Sequence, residues 1–143
     1  MRVVLFDLDD TLFDQKYCSR AGLLAVQKAY AGRIGGSIEE IESAYGALLE
    51  QWHEKVLAGL ISIDESRVER FRVLLSSAHT TATDAESEAA AGCYRDAYDA
   101  AYRPVPGAIE VLRPVKAARP VGIGAHHIRF ETVQKNSALG FQT

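Results

Sequence analysis

Two short apolar runs are the strand candidates of this chain: "RVVLF" at 2–6 and "PVGIGA" at 120–125. They stand near opposite ends of the sequence, with helical periodicity between them. Each run is continuous rather than alternating, built from β-branched, aliphatic or small residues, and bounded by turn formers. That pattern reads as a strand buried on both faces. The order is therefore strand, a long helical block, one more helix, strand, and a last helix. It predicts an α/β layer with a helical domain inserted after the first strand.

The helical block is punctuated clearly. A first segment runs from Gln15 to Tyr30, carries Leu23, Leu24, Val26 and Tyr30, and ends at "GRIGGS". Ser37 followed by Glu40 makes a capping box for the second. There Ile38, Ile41, Tyr45, Leu48, Leu49, Trp52 and Val56 recur at steps of three and four, which puts them on one face. Ser62 with Glu65 repeats the box, and the third segment offers Val68, Phe71, Leu74 and Leu75 to a core. The fourth starts near Thr83, with Glu86 three residues on, and is alanine-rich through Ala101. Four amphipathic helices with short links make a small bundle. Pro104 and Pro106 then stop the fourth helix. Residues 108–118 read as helical again, with Pro114 placed to end or kink the segment, and "RFETVQKNSALG" reads as a last helix. The predicted division is a helical domain over 15–102 and an α/β domain from 1–14 with 103–143.

Composition narrows the function classes. The 143 residues are 48% hydrophobic and 24% charged, with a formal net charge of -3. That is a soluble globular composition, and it gives no electrostatic reason to expect nucleic acid or an anionic membrane as partner. No apolar run is long enough to span a bilayer. Cys18 and Cys93 lie far apart with no metal-type spacing. They read as free thiols in a reducing cytoplasm, although spacing alone leaves a disulfide open.

The first strand runs directly into acids: Asp7, Asp9, Asp10 and Asp14. Like charges this close repel, so the cluster is costly unless a cation or a reaction needs it. In open α/β sheets ligands bind beyond the carboxyl ends of the strands, and alternation points Asp7 and Asp9 one way and Leu8 the other. Two carboxylates with the Thr11 hydroxyl suit a divalent cation and a phosphoryl group. One carboxylate can attack phosphorus, and the other can protonate the leaving oxygen and later take a proton from water. Asp10 and Asp14 read as loop and helix-start acids.

These residues carry a resemblance. "LFDLDDTLFD" resembles the first motif of the haloacid dehalogenase-like (HAD) hydrolase superfamily, D-x-D-x-T after a strand. The second acid, Asp9, is the mark of the family's phosphatases. A helical insertion directly after that motif resembles a C1-type cap, and "GLISIDESRVERF" and "YRPVPGAIEVL" look like cap and cap-exit segments. The resemblance implies an incomplete Rossmann-like core with a helical-bundle cap that closes over the site. It implies a magnesium-dependent phosphatase acting through an aspartyl phosphate on a small phosphorylated metabolite. Asp7 would be nucleophile and magnesium ligand. Asp9 would be general acid/base, with its backbone carbonyl also on magnesium. Thr11 would hold the motif loop at the phosphate.

Two departures stand against it. At the family's second motif, where a Thr or Ser hydroxyl meets the phosphate, "VGIGAHH" puts Ala125, leaving His126 as the candidate phosphate contact. The third motif, a Lys, and the fourth, an acidic pair, belong further along than this sequence runs. Lys135 falls too early. The rival expectation is thus a truncated or degenerate, non-catalytic HAD-like chain serving as a binding module, and an incomplete sheet predicts self-association. A receiver-like phosphoacceptor gives the large helical insertion no role. His126 and His127 are adjacent on an extended segment and point opposite ways, so joint metal ligation is disfavoured. His53 reads as a surface or boundary residue and Trp52 as core. Arg67 and Arg70 read as a solvated helix face with Glu65 and Glu69, or as an anion contact from the cap.

Overall fold

The structure, a computed structural model, describes residues 3–124. Its elements run β1 (Val4–Asp7), α1 (Gln15–Ala29), α2 (Ile38–Leu57), α3 (Ile63–Leu75), α4 (Asp84–Ala100), α5 (Ala108–Ala118) and β2 (Val121–Gly124). The fold is α/β, a partial Rossmann-like core with an inserted helical block. Contacts divide it into two compact units. One gathers the chain up to Cys18 and from Ala100 onward, and the other is Ser19–Asp99.

In the first unit β1 and β2 pair in parallel, with Val4 opposite Val121, Leu5 opposite Gly122, Phe6 opposite Ile123 and Asp7 opposite Gly124. Parallel pairing brings both carboxyl ends to one edge, so the chain leaves β1 at Asp7 beside Gly124. A Cβ at position 122 would stand 2.6 Å from Cδ2 of the exposed Leu5 side chain, which has room to turn aside. The expectation of a strand buried on both faces does not hold for β1. Val4 and Phe6 are half-buried, but Leu5 is 77% exposed and Val3 51%. Among the described residues the sheet is covered on one face, and alternation replaces continuous burial. Helix α5 buries Ala108 and Leu112. It also runs through Pro114 to Ala118 rather than stopping there. Pro114 and Glu110, the residue whose carbonyl loses its helical donor, are both exposed, so water can meet that carbonyl.

The second unit is built from capped helices around an aromatic centre. Ser37 with Glu40 and Ser62 with Glu65 form complete capping boxes on α2 and α3. Thr83 and Glu86 do the same for α4, with backbone–side-chain distances of 2.8 and 3.2 Å. The rings of Tyr45, Phe71 and Tyr94 pack with centroids 5.2 to 5.5 Å apart, and Tyr98 extends the group at 5.8 Å from Tyr94. Arg70 is buried beside them, which corrects the solvated-face reading. It donates to the Tyr45 hydroxyl at 3.0 Å and the Ser66 carbonyl at 3.2 Å. Arg67 instead pairs with the exposed Asp64. Position 70 shares its helix face with Ser66, four residues earlier and also buried. Desolvation holds the Tyr45 and Tyr94 phenols above their ordinary pKa.

Burial is narrower than the apolar pattern suggests. Leu24 and Leu49 are exposed, and Leu48, Trp52 and Val56 are half-buried. Cys18 is buried and Cys93 half-buried, and neither is in a disulfide. No helix among the described residues is long and apolar enough to cross a membrane.

Candidate active site

The acids sit in a loop whose shape is set by its apolar members. The Leu8 N–H donates to the Gly124 carbonyl at 3.1 Å, extending the sheet ladder one residue past β1. The Leu8 carbonyl then accepts both Leu12 N–H, at 3.0 Å, and Phe13 N–H, at 2.8 Å. Asp10 takes a left-handed conformation, φ 55, and its N–H donates to the Phe13 carbonyl at 2.7 Å. Aspartate tolerates this region better than most residues. Leu8, Leu12 and Phe13 are buried in consequence, the first and last completely. With the apolar residues turned inward, Asp7, Asp10 and Thr11 are exposed and Asp9 half-buried. Exposed Asp7 beside buried Leu8 is the division that alternation predicts; exposed Asp10 departs from it because the chain has turned by then.

The polar contacts among the described residues are specific. Thr11 Oγ1 stands 3.5 Å from Asp7 Oδ2, a long contact that leaves the Asp7 carboxylate mainly to solvent. Behind the loop, the first turn of α1 holds the other acids. Asp14 is the N-cap of α1, accepting from the Tyr17 N–H at 3.2 Å. The Lys16 N–H donates to Asp10 Oδ1 at 2.9 Å. The Gln15 side chain faces Asp9. With its amide nitrogen turned to the carboxylate it donates to Oδ1 at 3.0 Å and Oδ2 at 3.2 Å, whereas the reverse orientation would set oxygen against oxygen.

This turn is itself anchored. Arg103 donates to Asp14 Oδ2 through Nε at 2.8 Å and Nη2 at 2.7 Å, and its guanidinium stacks on the Tyr17 ring at 3.2 Å. The returning chain is stitched alongside: Asp14 N–H to Arg103 carbonyl at 3.1 Å, Val105 N–H to Leu12 carbonyl at 2.9 Å, and Phe13 edge-on to Tyr102.

Of the residues singled out from the sequence, Asp7, Asp9 and Thr11 therefore share one loop at the carboxyl end of β1. His126, Ala125 and Lys135 lie outside the described residues. Gln15 and Arg103 had not been singled out. Nothing in the sequence distinguishes Gln15 from any other first residue of a helix. Arg103 could have been weighed as the cation nearest the point where the helical block ends.

The chain matches no family model and no curated protein. Solved structures do match. Over 97% of this chain it superposes on 58% of YfnB from Bacillus subtilis, described as a HAD-hydrolase and solved bound to magnesium, with a TM-score of 0.74 and 18% identity. The fold is HAD-like. A hydrolase from Pseudomonas syringae is also matched, over 99% of this chain and 56% of that one, with a TM-score of 0.45 and 20% identity. This chain spans a little over half the length of either.

Proposed function

We propose that this chain carries the nucleophile and general acid/base of a phosphomonoester hydrolase that works through an aspartyl phosphate. The observation that supports it is the loop itself. Asp7 ends a strand at the carboxyl edge of a parallel sheet, exposed, with Asp9 two residues on and Thr11 beside it. That edge is where open α/β sheets take their ligands. In the first step an Asp7 carboxylate oxygen attacks phosphorus, and the bond to the ester oxygen breaks. Asp9 gives that oxygen its proton, so the alcohol leaves neutral. In the second step Asp9 takes a proton from water as the water oxygen attacks phosphorus. The bond between phosphorus and Asp7 breaks, and inorganic phosphate and the free carboxylate remain. The substrate class we infer is a small phosphorylated metabolite.

Magnesium is the proposed cofactor. It is a hard ion that takes one or two protein carboxylates and fills its remaining positions with water and phosphate oxygens. The donors here fit that demand: the Asp7 carboxylate and the Asp9 backbone carbonyl. Among the described residues no cluster of three or more His, Cys, Asp or Glu offers a denser site. When bound, the ion would offset the acids' repulsion and the phosphate charge. The magnesium bound by YfnB, a protein of like fold, supports the same choice. The reading is tested by Asp7→Asn, which removes the nucleophilic oxygen while keeping the shape. Turnover should fall at least a hundredfold, and unchanged turnover would refute the assignment.

A further inference from the structure

We propose that Gln15 is a positioning residue for Asp9, and that the first turn of α1 is the device that orients the general acid/base. The inference rests on the reaction proposed above and adds to it a residue outside the motif. Three observations carry it. With its amide nitrogen turned to the carboxylate, Gln15 would donate to both Asp9 oxygens, at 3.0 and 3.2 Å, and so hold that carboxylate against the first turn of α1. The same turn holds the neighbouring acid, through the Lys16 N–H to Asp10 at 2.9 Å. The turn is anchored at its cap, where Asp14 accepts from two Arg103 donors at 2.7 and 2.8 Å, and Arg103 lies on the returning chain.

The chemistry needs such a brace. Asp9 is half-buried on a loop with a left-handed residue next to it. A general acid turned from the ester oxygen cannot protonate it, and misplacement by about 1 Å costs up to about a hundredfold in rate. An amide suits the task. It carries no charge to compete for the phosphate or the metal, and a carboxylate has more acceptor sites than one amide donor fills.

The test compares esters in the full chain. Where the leaving group is an aryl oxide, its departure asks little of a proton donor; where it is an alkoxide, it asks a great deal. Gln15→Leu should lower kcat/KM roughly tenfold or more for an alkyl phosphate and much less for an aryl phosphate. In an Asp9→Ala background the same substitution should add nothing. A purely structural role would lower both esters alike and would still act in the Asp9→Ala background, and either result would overturn the inference. A second readout does not depend on turnover. The side-chain amide NMR signal that vanishes in Gln15→Leu should shift in Asp9→Ala; an unmoved signal would also overturn it. Absence of wild-type turnover would retire the reaction, and the amide shift would then decide the Gln15–Asp9 contact alone.

Discussion

Arg70 and Tyr45 show what burial does to single residues here. The guanidinium donates to neutral acceptors, the Tyr45 hydroxyl and the Ser66 carbonyl. Tyr45→Phe would leave a buried cationic donor without its partner, at a cost of about 1–3 kcal/mol, read as a lower urea midpoint at unchanged slope. Glycines give a sharper contrast. A Cβ at Gly22 would meet the Tyr94 ring at 2.5 Å and the Tyr94 carbonyl at 2.9 Å. Gly22→Ala should therefore destabilise by about 1–3 kcal/mol, because overpacking against backbone outweighs the helix preference of alanine. At Gly46 nothing lies within 4 Å. Gly46→Ala should stabilise by about 0.5–1 kcal/mol. Neither the burial of Arg70 nor the difference between these glycines was legible in the sequence. Periodicity gives a helix its face, but not which residues of a neighbouring helix press on it.

Helices α2, α3 and α4 were legible because their starts are written locally. Ser37, Ser62 and Thr83 each stand three residues before a glutamate, and each pair closes its box. Hydrogen bonding to the capping residue holds Glu40, Glu65 and Glu86 below their ordinary pKa: the backbone N–H first for Glu40 and Glu86, the hydroxyl first for Glu65. A depressed folded value means that the contribution is complete above the unfolded carboxylate pKa. It is lost as pH falls through the lowered one. The thermal midpoint should therefore drop on acidification from neutral pH to below 4. Ser62→Ala should cost about 1 kcal/mol at neutral pH, and the variant should lose less than the parent on acidification, because its box is already broken. Helix α5 was less legible. Pro114 is a stop signal by local rules, yet it faces solvent, where the carbonyl it strands can find water.

At the scale of the molecule, the α/β order and the motif loop could be read from the sequence, since apolar runs and alternation set them. Which residues of the sheet stand open could not. A continuous apolar run implies cover on both faces, whereas Val3 and Leu5 stand open among the described residues. Such a face favours association. Sedimentation velocity should show concentration-dependent self-association, and Leu5→Lys should weaken it; a strictly monomeric parent would contradict this. Arg103 went unnoticed for a different reason: it meets Asp14 because two distant segments come together beside the motif, whereas Gln15 lies close to Asp9 in sequence but carries no mark that sets it apart.

The central claim is that Asp7 is a phosphoryl acceptor in this chain. Its most direct test is hydrolysis of a generic phosphomonoester by the 143-residue protein, with magnesium, with chelator, and as Asp7→Asn. The account predicts turnover that requires magnesium and vanishes with Asp7→Asn. A well-folded protein that shows no turnover, or turnover that survives Asp7→Asn, would contradict it.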